Sequence, residues 1–182
     1  QLVYESDTNR LAAWNGSAWT TQNGLQLITT QTIGSAVSSV TVSNCFSSTY
    51  DAYKIVVTGG AASAELQLNM TLGASAASYY SSGMYTDFTT GSAGTSTVNN
   101  GASWGRVGYG TSSGTIVMNF DVFGPFLSAN TYATSLFSRN GNYMGTVSHL
   151  HAVATSYSSF TLTTSTGTLT GGTIRVYGYA NA

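Results

Sequence analysis

Leu66-Gln67-Leu68-Asn69-Met70-Thr71-Leu72 and Ile116-Val117-Met118-Asn119-Phe120-Asp121-Val122 decide the fold. In an extended chain successive side chains point to opposite faces. Leu66, Leu68, Met70 and Leu72 therefore share one face, as do Ile116, Met118, Phe120 and Val122, while Gln67, Asn69, Asn119 and Asp121 point the other way. This is the pattern of a half-buried strand, and it recurs more weakly in both directions along the chain. Strands are predicted at 38–43, 53–58, 65–72, 79–85, 104–109, 115–122, 131–139, 144–155, 160–164 and 173–179. Residues 86–101 (TDFTTGSAGTSTVNNG) are polar, small and Gly-rich and read as a long loop. Gly124-Pro125-Phe126 holds the only proline and ends the strand before it. No segment carries a 3.6-residue apolar repeat. Many short strands between Ser/Gly clusters imply an all-β fold, an antiparallel, jelly-roll-like β-sandwich.

A small unit precedes the sandwich. Leu2-Val3-Tyr4 and Leu11-Ala12-Ala13-Trp14 flank a polar turn, and Asn15-Gly16, a strong hairpin signal, leads into Ala18-Trp19-Thr20. So few residues cannot bury Tyr4, Trp14 and Trp19 by themselves, which makes these rings candidate oligomer contacts. Asn23-Gly24 marks the boundary, giving an N-terminal β-hairpin module over 1–24 and a sandwich domain over 25–182.

Composition narrows the function. Charged residues are 6% of the chain, against about 25% in an ordinary soluble domain. The chain has 26 Ser, 28 Thr and 21 Gly, so hydroxyls take the place of ions on its surface. Five Lys+Arg at net charge −1 offer no basic stripe, and no nucleic-acid partner is expected. With 42% hydrophobic residues and almost no net charge, the disordered signature is reversed. No run of 18 apolar residues occurs, so no membrane insertion is expected. The start, Gln1-Leu2-Val3-Tyr4, shows no signal peptide and no initiator Met, as in a fragment or processed product. Near-zero net charge favours association, and the chain reads as part of a permanent assembly.

Catalytic patterns are sparse. The six acids, Glu5, Asp7, Asp51, Glu65, Asp87 and Asp121, form no paired-carboxylate motif, and no Gly-x-Ser-x-Gly elbow is present. A polysaccharide depolymerase would need Asp51, Asp87 and Asp121 to converge. Cys45, the only cysteine, reads as a small buried hydrophobe at a strand end. His149 and His151 share one strand face at a spacing that suits a metal, yet no third ligand lies nearby in sequence. The simpler reading is a pair of hydrogen-bonded strand histidines; the other has six imidazoles meeting near a trimer axis. No cofactor, catalytic residue or metal site is assigned. Aromatic residues are the remaining lead: Tyr79, Tyr80, Tyr85, Trp104 and Tyr109 are candidate contacts for a ligand or receptor, since Tyr and Trp pair a flat apolar face with a polar tip.

Val3-Tyr4-Glu5-Ser6-Asp7-Thr8-Asn9-Arg10-Leu11 followed by Trp14-Asn15-Gly16-Ser17-Ala18-Trp19 resembles a short module of phage tail fibres and other virion proteins. The remainder is similar to a β-rich phage structural domain. The likeness runs through Ala36-Val37-Ser38-Ser39-Val40-Thr41-Val42, residues 46–57, Asp121-Val122-Phe123-Gly124-Pro125-Phe126 and residues 167–179. The resemblance implies a non-enzymatic, homotrimeric virion surface protein, a fibre or decoration domain located on tail or capsid. Its partners would be other virion proteins and host-surface glycans or proteins. A lectin-like carbohydrate-binding module is the alternative, and a polysaccharide depolymerase the third reading.

Overall fold

The computed structural model describes residues 24–139 and 142–180, together with the backbone of 2–5, 10–14, 17 and 19–21 and the side chains of Trp14 and Ser17. Every element among these residues is a strand, and every pairing is antiparallel. β1 (Leu2–Glu5), β2 (Arg10–Trp14) and β3 (Trp19–Thr21) make a three-stranded sheet of their own. The side chains of Tyr4 and Trp19 lie outside the described residues, as does the Asn15-Gly16 turn; Trp14 is 45% exposed.

The remaining strands are β4 (Leu25–Thr32), β5 (Ser39–Val42), β6 (Ala52–Gly59), β7 (Ala61–Ala62), β8 (Leu66–Leu72), β9 (Tyr79–Asp87) and β10 (Ala93–Gly101). There follow β11 (Trp104–Gly110), β12 (Ile116–Phe123), β13 (Thr131–Arg139), β14 (Tyr143–His151), β15 (Phe160–Thr164), β16 (Leu169–Thr170) and β17 (Thr173–Tyr179). One layer runs β10-β9-β14-β13-β12-β6-β17-β4, and the other runs β11-β8-β15-β5. The layers join where Tyr109 of β11 pairs with Val117 of β12. β7 and β16 form a small separate pair.

The alternation in the deciding stretches sets the core. Leu66, Leu68, Met70 and Leu72 face Ile116, Met118, Phe120 and Val122 across the sandwich, each at most 2% exposed. Complete burial of such a side chain contributes about 1.5–3 kcal/mol. Cys45 lies in the same core, 1% exposed, and burial pushes its thiol up to about 12, which suppresses the nucleophilic thiolate. Gly124 adopts φ 68° directly after β12, so that strand ends at the Gly-Pro pair as expected.

Residues 86–101 are not a loop; they complete a hairpin. β9 runs on to Asp87, a five-residue turn reverses the chain, and β10 pairs back along β9 from Ala93↔Thr86 to Gly101↔Tyr79. The Asp87 carboxylate builds the turn. It accepts hydrogen bonds from the Thr89 hydroxyl at 2.6 Å and from the backbone N–H groups of Thr89 and Thr90 at 2.9 and 3.2 Å, while Gly91 takes φ 74°. β10 reads as loop because it is an outer strand with no fully buried residue, so its sequence carries no apolar alternation. β4, the edge strand at the other end of the layer, escapes detection for the same reason. β14 stops at His151, four residues short of the predicted end.

The Thr89 hydroxyl foremost, helped by the backbone amides, holds the Asp87 carboxyl below the usual carboxylate range. The turn should therefore keep its clasp throughout ordinary pH and lose it only in acid below that range. Asp87→Ala is expected to raise amide exchange in β9 and β10 by tenfold or more without affecting β6 and β12. Hydrogen exchange resolved by residue checks this, and unchanged protection at Tyr85 and Gly94 would contradict it.

Candidate functional site

One end of the sandwich opens as a cleft of about 230 Å³ between the layers. Tyr85 of β9, Tyr143 of β14, and Phe137 and Arg139 of β13 line it from the larger layer. Arg106 and Tyr109 of β11 and Gln67 of β8 line it from the smaller, with Glu65 and Ser165 at the rim. Tyr109, Phe137 and Val147 form a second small hydrophobic cluster beneath it, with Tyr85 and Tyr143 packed against them.

A bulge aims Arg106 into this cleft. Trp104 pairs with Met70 and Gly108 with Leu68, so three residues of β11 stand opposite the single residue Asn69. Bulges re-aim side chains at the rims of sheets. Arg106 sits inside it at φ 58°, a left-handed conformation that costs a bulky residue roughly 1–3 kcal/mol. Its guanidinium lies over the Tyr85 ring, 4.9 Å from the centroid, and Arg139 covers the Tyr143 ring at 4.6 Å. The two rings meet edge to face at 5.3 Å. Tyr85 in turn covers Gly94, where a Cβ would fall 2.5 Å from the ring; only glycine leaves room for it there.

A buried polar thread holds the bulge from behind. The Ser135 hydroxyl donates to the Arg106 carbonyl at 3.2 Å, so its oxygen must accept from His149 Nε2–H at 3.0 Å. His149 Nδ1 then accepts from the Ser81 hydroxyl at 2.8 Å. Burial pushes His149 down to about 3, so the ring is neutral and carries its proton on Nε2. His151 has the opposite tautomer. Its Nδ1–H donates to the Ser78 carbonyl at 3.3 Å, and Nε2 accepts from the Tyr157 hydroxyl at 2.8 Å. Both rings lie inside the sandwich with all four nitrogens engaged by the protein. That corrects the picture of six imidazoles at a trimer axis and favours hydrogen-bonded strand histidines.

The five candidate aromatics separate. Tyr79 is fully buried; its hydroxyl accepts from Leu72 N–H at 2.7 Å and donates to the Ser75 carbonyl at 3.3 Å. Trp104 is equally buried, its Nε1–H donating to the Leu150 carbonyl at 2.9 Å. Both are core residues, which corrects their reading as ligand contacts. Tyr80 projects from the opposite face of β9 to Tyr85, beside Tyr132 and Leu150 in a shallow outer hollow. Tyr85 and Tyr109 reach the cleft. Burial raises the Tyr109 phenol, and the adjacent Arg106 and Arg139 pull it the other way. Arg106, Arg139, Glu65 and Phe137 also line the cleft, and no local sequence pattern marks them. The one available signal was scarcity: two of the five cations of the chain meet here.

The acids do not gather. Asp87 and Asp121 are separated by three strand spacings and five residues of register, or about 20 Å, beyond the ~5–9.5 Å of a glycosidase pair. Asp121 is taken by Lys54 at 3.1 Å and by the Tyr179 hydroxyl, and Asp51 lies in the turn before β6. Among the described residues no group of three His, Cys, Asp or Glu side chains is placed to hold a metal.

No family model matches the chain, and no curated protein matches it. Among solved structures, the infectious bursal disease virus VP2 subviral particle is similar at 10% identity over 93% of this chain and 45% of that one, with a TM-score of 0.11. The chain thus spans under half of that protein, and a likeness this slight carries no weight for fold or function.

Proposed function

We propose that this chain is a non-enzymatic recognition domain of a virion surface protein, a homotrimeric fibre or decoration component that engages host-surface saccharide through the cleft at the sandwich end. The observation that carries the reading is the convergence of Arg106, Arg139, Tyr85, Tyr109 and Glu65 on one opening in a chain with 6% charged residues. Polar groups fixed by a rigid β scaffold are what ligand orientation requires. The virion setting rests on the N-terminal sequence pattern.

Two features support assembly. The outward face of the larger layer exposes Met84, Leu136, Met144, Tyr132 and Phe123, interspersed with hydroxyls such as Thr134, Thr146 and Ser148, and carries the Lys54–Asp121 pair and Arg175 as its charges. The β10 edge, nine residues long, has none of the charges or prolines that normally blunt an open strand. Light scattering should give three times 18.9 kDa, and a stable monomer at micromolar concentration would remove the trimer from the proposal. For recognition, an array of bacterial surface saccharides should bind the protein, and the Tyr85→Ala/Arg106→Ala double variant should lose at least tenfold in affinity. An identical binding profile for the variant would overturn the cleft assignment.

A further inference from the structure

We infer that the cleft selects an acidic sugar, a hexuronate-like ring whose single carboxylate is taken by Arg106. This rests on the saccharide reading above and adds the ligand's charge. Arg139 is already neutralised by Glu65, with which it forms an ion pair. The Arg106 guanidinium has no hydrogen-bond or ion-pair partner among the described residues; only the Tyr85 ring touches it as a cation–π contact. The cleft therefore holds one uncompensated positive charge, carried by a fork that matches a carboxylate in bidentate fashion.

The surroundings define the rest of the ligand. The two arginines already cover faces of Tyr85 and Tyr143, and Tyr85 also packs on Gly94. Ring stacking on a sugar is thus not what the cleft offers. It offers hydrogen bonds, from the Tyr109 hydroxyl and the Gln67 amide and to the Glu65 carboxylate, which suit a ring rich in hydroxyls. A volume of about 230 Å³ lies below the ~300–1,000 Å³ of pockets for drug-sized ligands and admits a single ring. A phosphorylated sugar carries about −1.5 to −2 charges and would need a second free cation. One unpaired arginine matches a monoanion.

Arg106 is also prepared for this role. The bulge fixes its backbone, the Ser135 hydroxyl fixes its carbonyl, and the Tyr85 ring fixes its head, so little side-chain freedom is lost on binding.

The test is a titration of the whole chain, followed by NMR, with methyl glucuronide and methyl glucoside, which differ by a carboxylate. Glucose 6-phosphate serves as the phosphate arm. The glucuronide should bind about 10- to 100-fold more tightly than the glucoside, the span expected of a charge-assisted hydrogen bond. Arg106→Gln should erase that preference with an unchanged melting temperature, and Arg106→Lys should keep part of it. Equal affinity for both glycosides, or a preference that survives in Arg106→Gln, would overturn the acidic-sugar inference while leaving saccharide recognition standing. Preference for the phosphate would overturn it likewise. Failure of every saccharide on the array as well as these three would overturn both.

Discussion

Trp104→Ala is expected to destabilise the protein by about 3–5 kcal/mol, the usual range for removing a buried Trp or Phe side chain. Among the described residues the indole is the largest fully buried side chain, and it lies between the two layers. It packs edge to face with Tyr79 at 5.4 Å and lies 5.7 Å from Phe120 and 5.8 Å from His149. Truncation leaves a cavity among rings that cannot collapse into it, and it removes the indole N–H bond to the Leu150 carbonyl. Trp104→Phe keeps most of the volume and loses chiefly the hydrogen bond, so it should cost about 1–2 kcal/mol. Urea unfolding checks both: the midpoint should fall with the slope unchanged. A Trp104→Ala variant within 1 kcal/mol of the parent would restore the reading of this ring as a surface contact.

The second large effect is acid instability centred on His149. In the unfolded chain an imidazole takes up its proton near pH 6.5, whereas burial in the sandwich delays this until about pH 3. A depressed histidine contributes stability that is complete above the unfolded value and is lost as pH falls, because the unfolded state then binds more protons. The window is therefore about pH 6.5 down to 3, and stability should fall by up to about 1.4 kcal/mol per unit within it. Between pH 7 and 4.5 the loss should reach on the order of 2–3 kcal/mol. His151, lowered by burial, acts in the same direction. The groups facing His149 are the Ser81 and Ser135 hydroxyls and the Trp104 and Phe120 rings, so no facing carboxylate explains the effect away. Urea midpoints measured across pH should show this slope, and His149→Gln should flatten most of it. A stability that stays level from pH 7 to 4.5 in the parent would contradict the neutral thread.

Where the sequence is legible, burial makes it so. Leu66 to Leu72 and Ile116 to Val122 face a core on one side only, and their alternation gives strand, face and partner layer at once. Strands 131–139, 160–164 and 173–179 are read to the residue for the same reason. β10 and β4 are opaque because an edge strand with no fully buried residue needs little apolar alternation, although Asp87, Thr89 and Gly91 spell out the turn that makes the hairpin. The cleft is half legible. Tyr85 and Tyr109 stand out as aromatics, but Tyr79 and Trp104 look alike in sequence and are core. Arg106 and Arg139 lie 33 residues apart, and only the packing of β11 across β13 brings them together. Nothing local in Trp104-Gly105-Arg106-Val107-Gly108 announces that the strand bulges there.

The most direct test of the account is an amide chemical-shift map of the protein titrated with methyl glucuronide. Shifts are expected to concentrate at residues 65–67, 85, 106–109, 137–139 and 143, at the mouth of the sandwich. Shifts gathered instead around Tyr80, Tyr132 and Leu150 on the outer face, with the mouth unmoved, would contradict it.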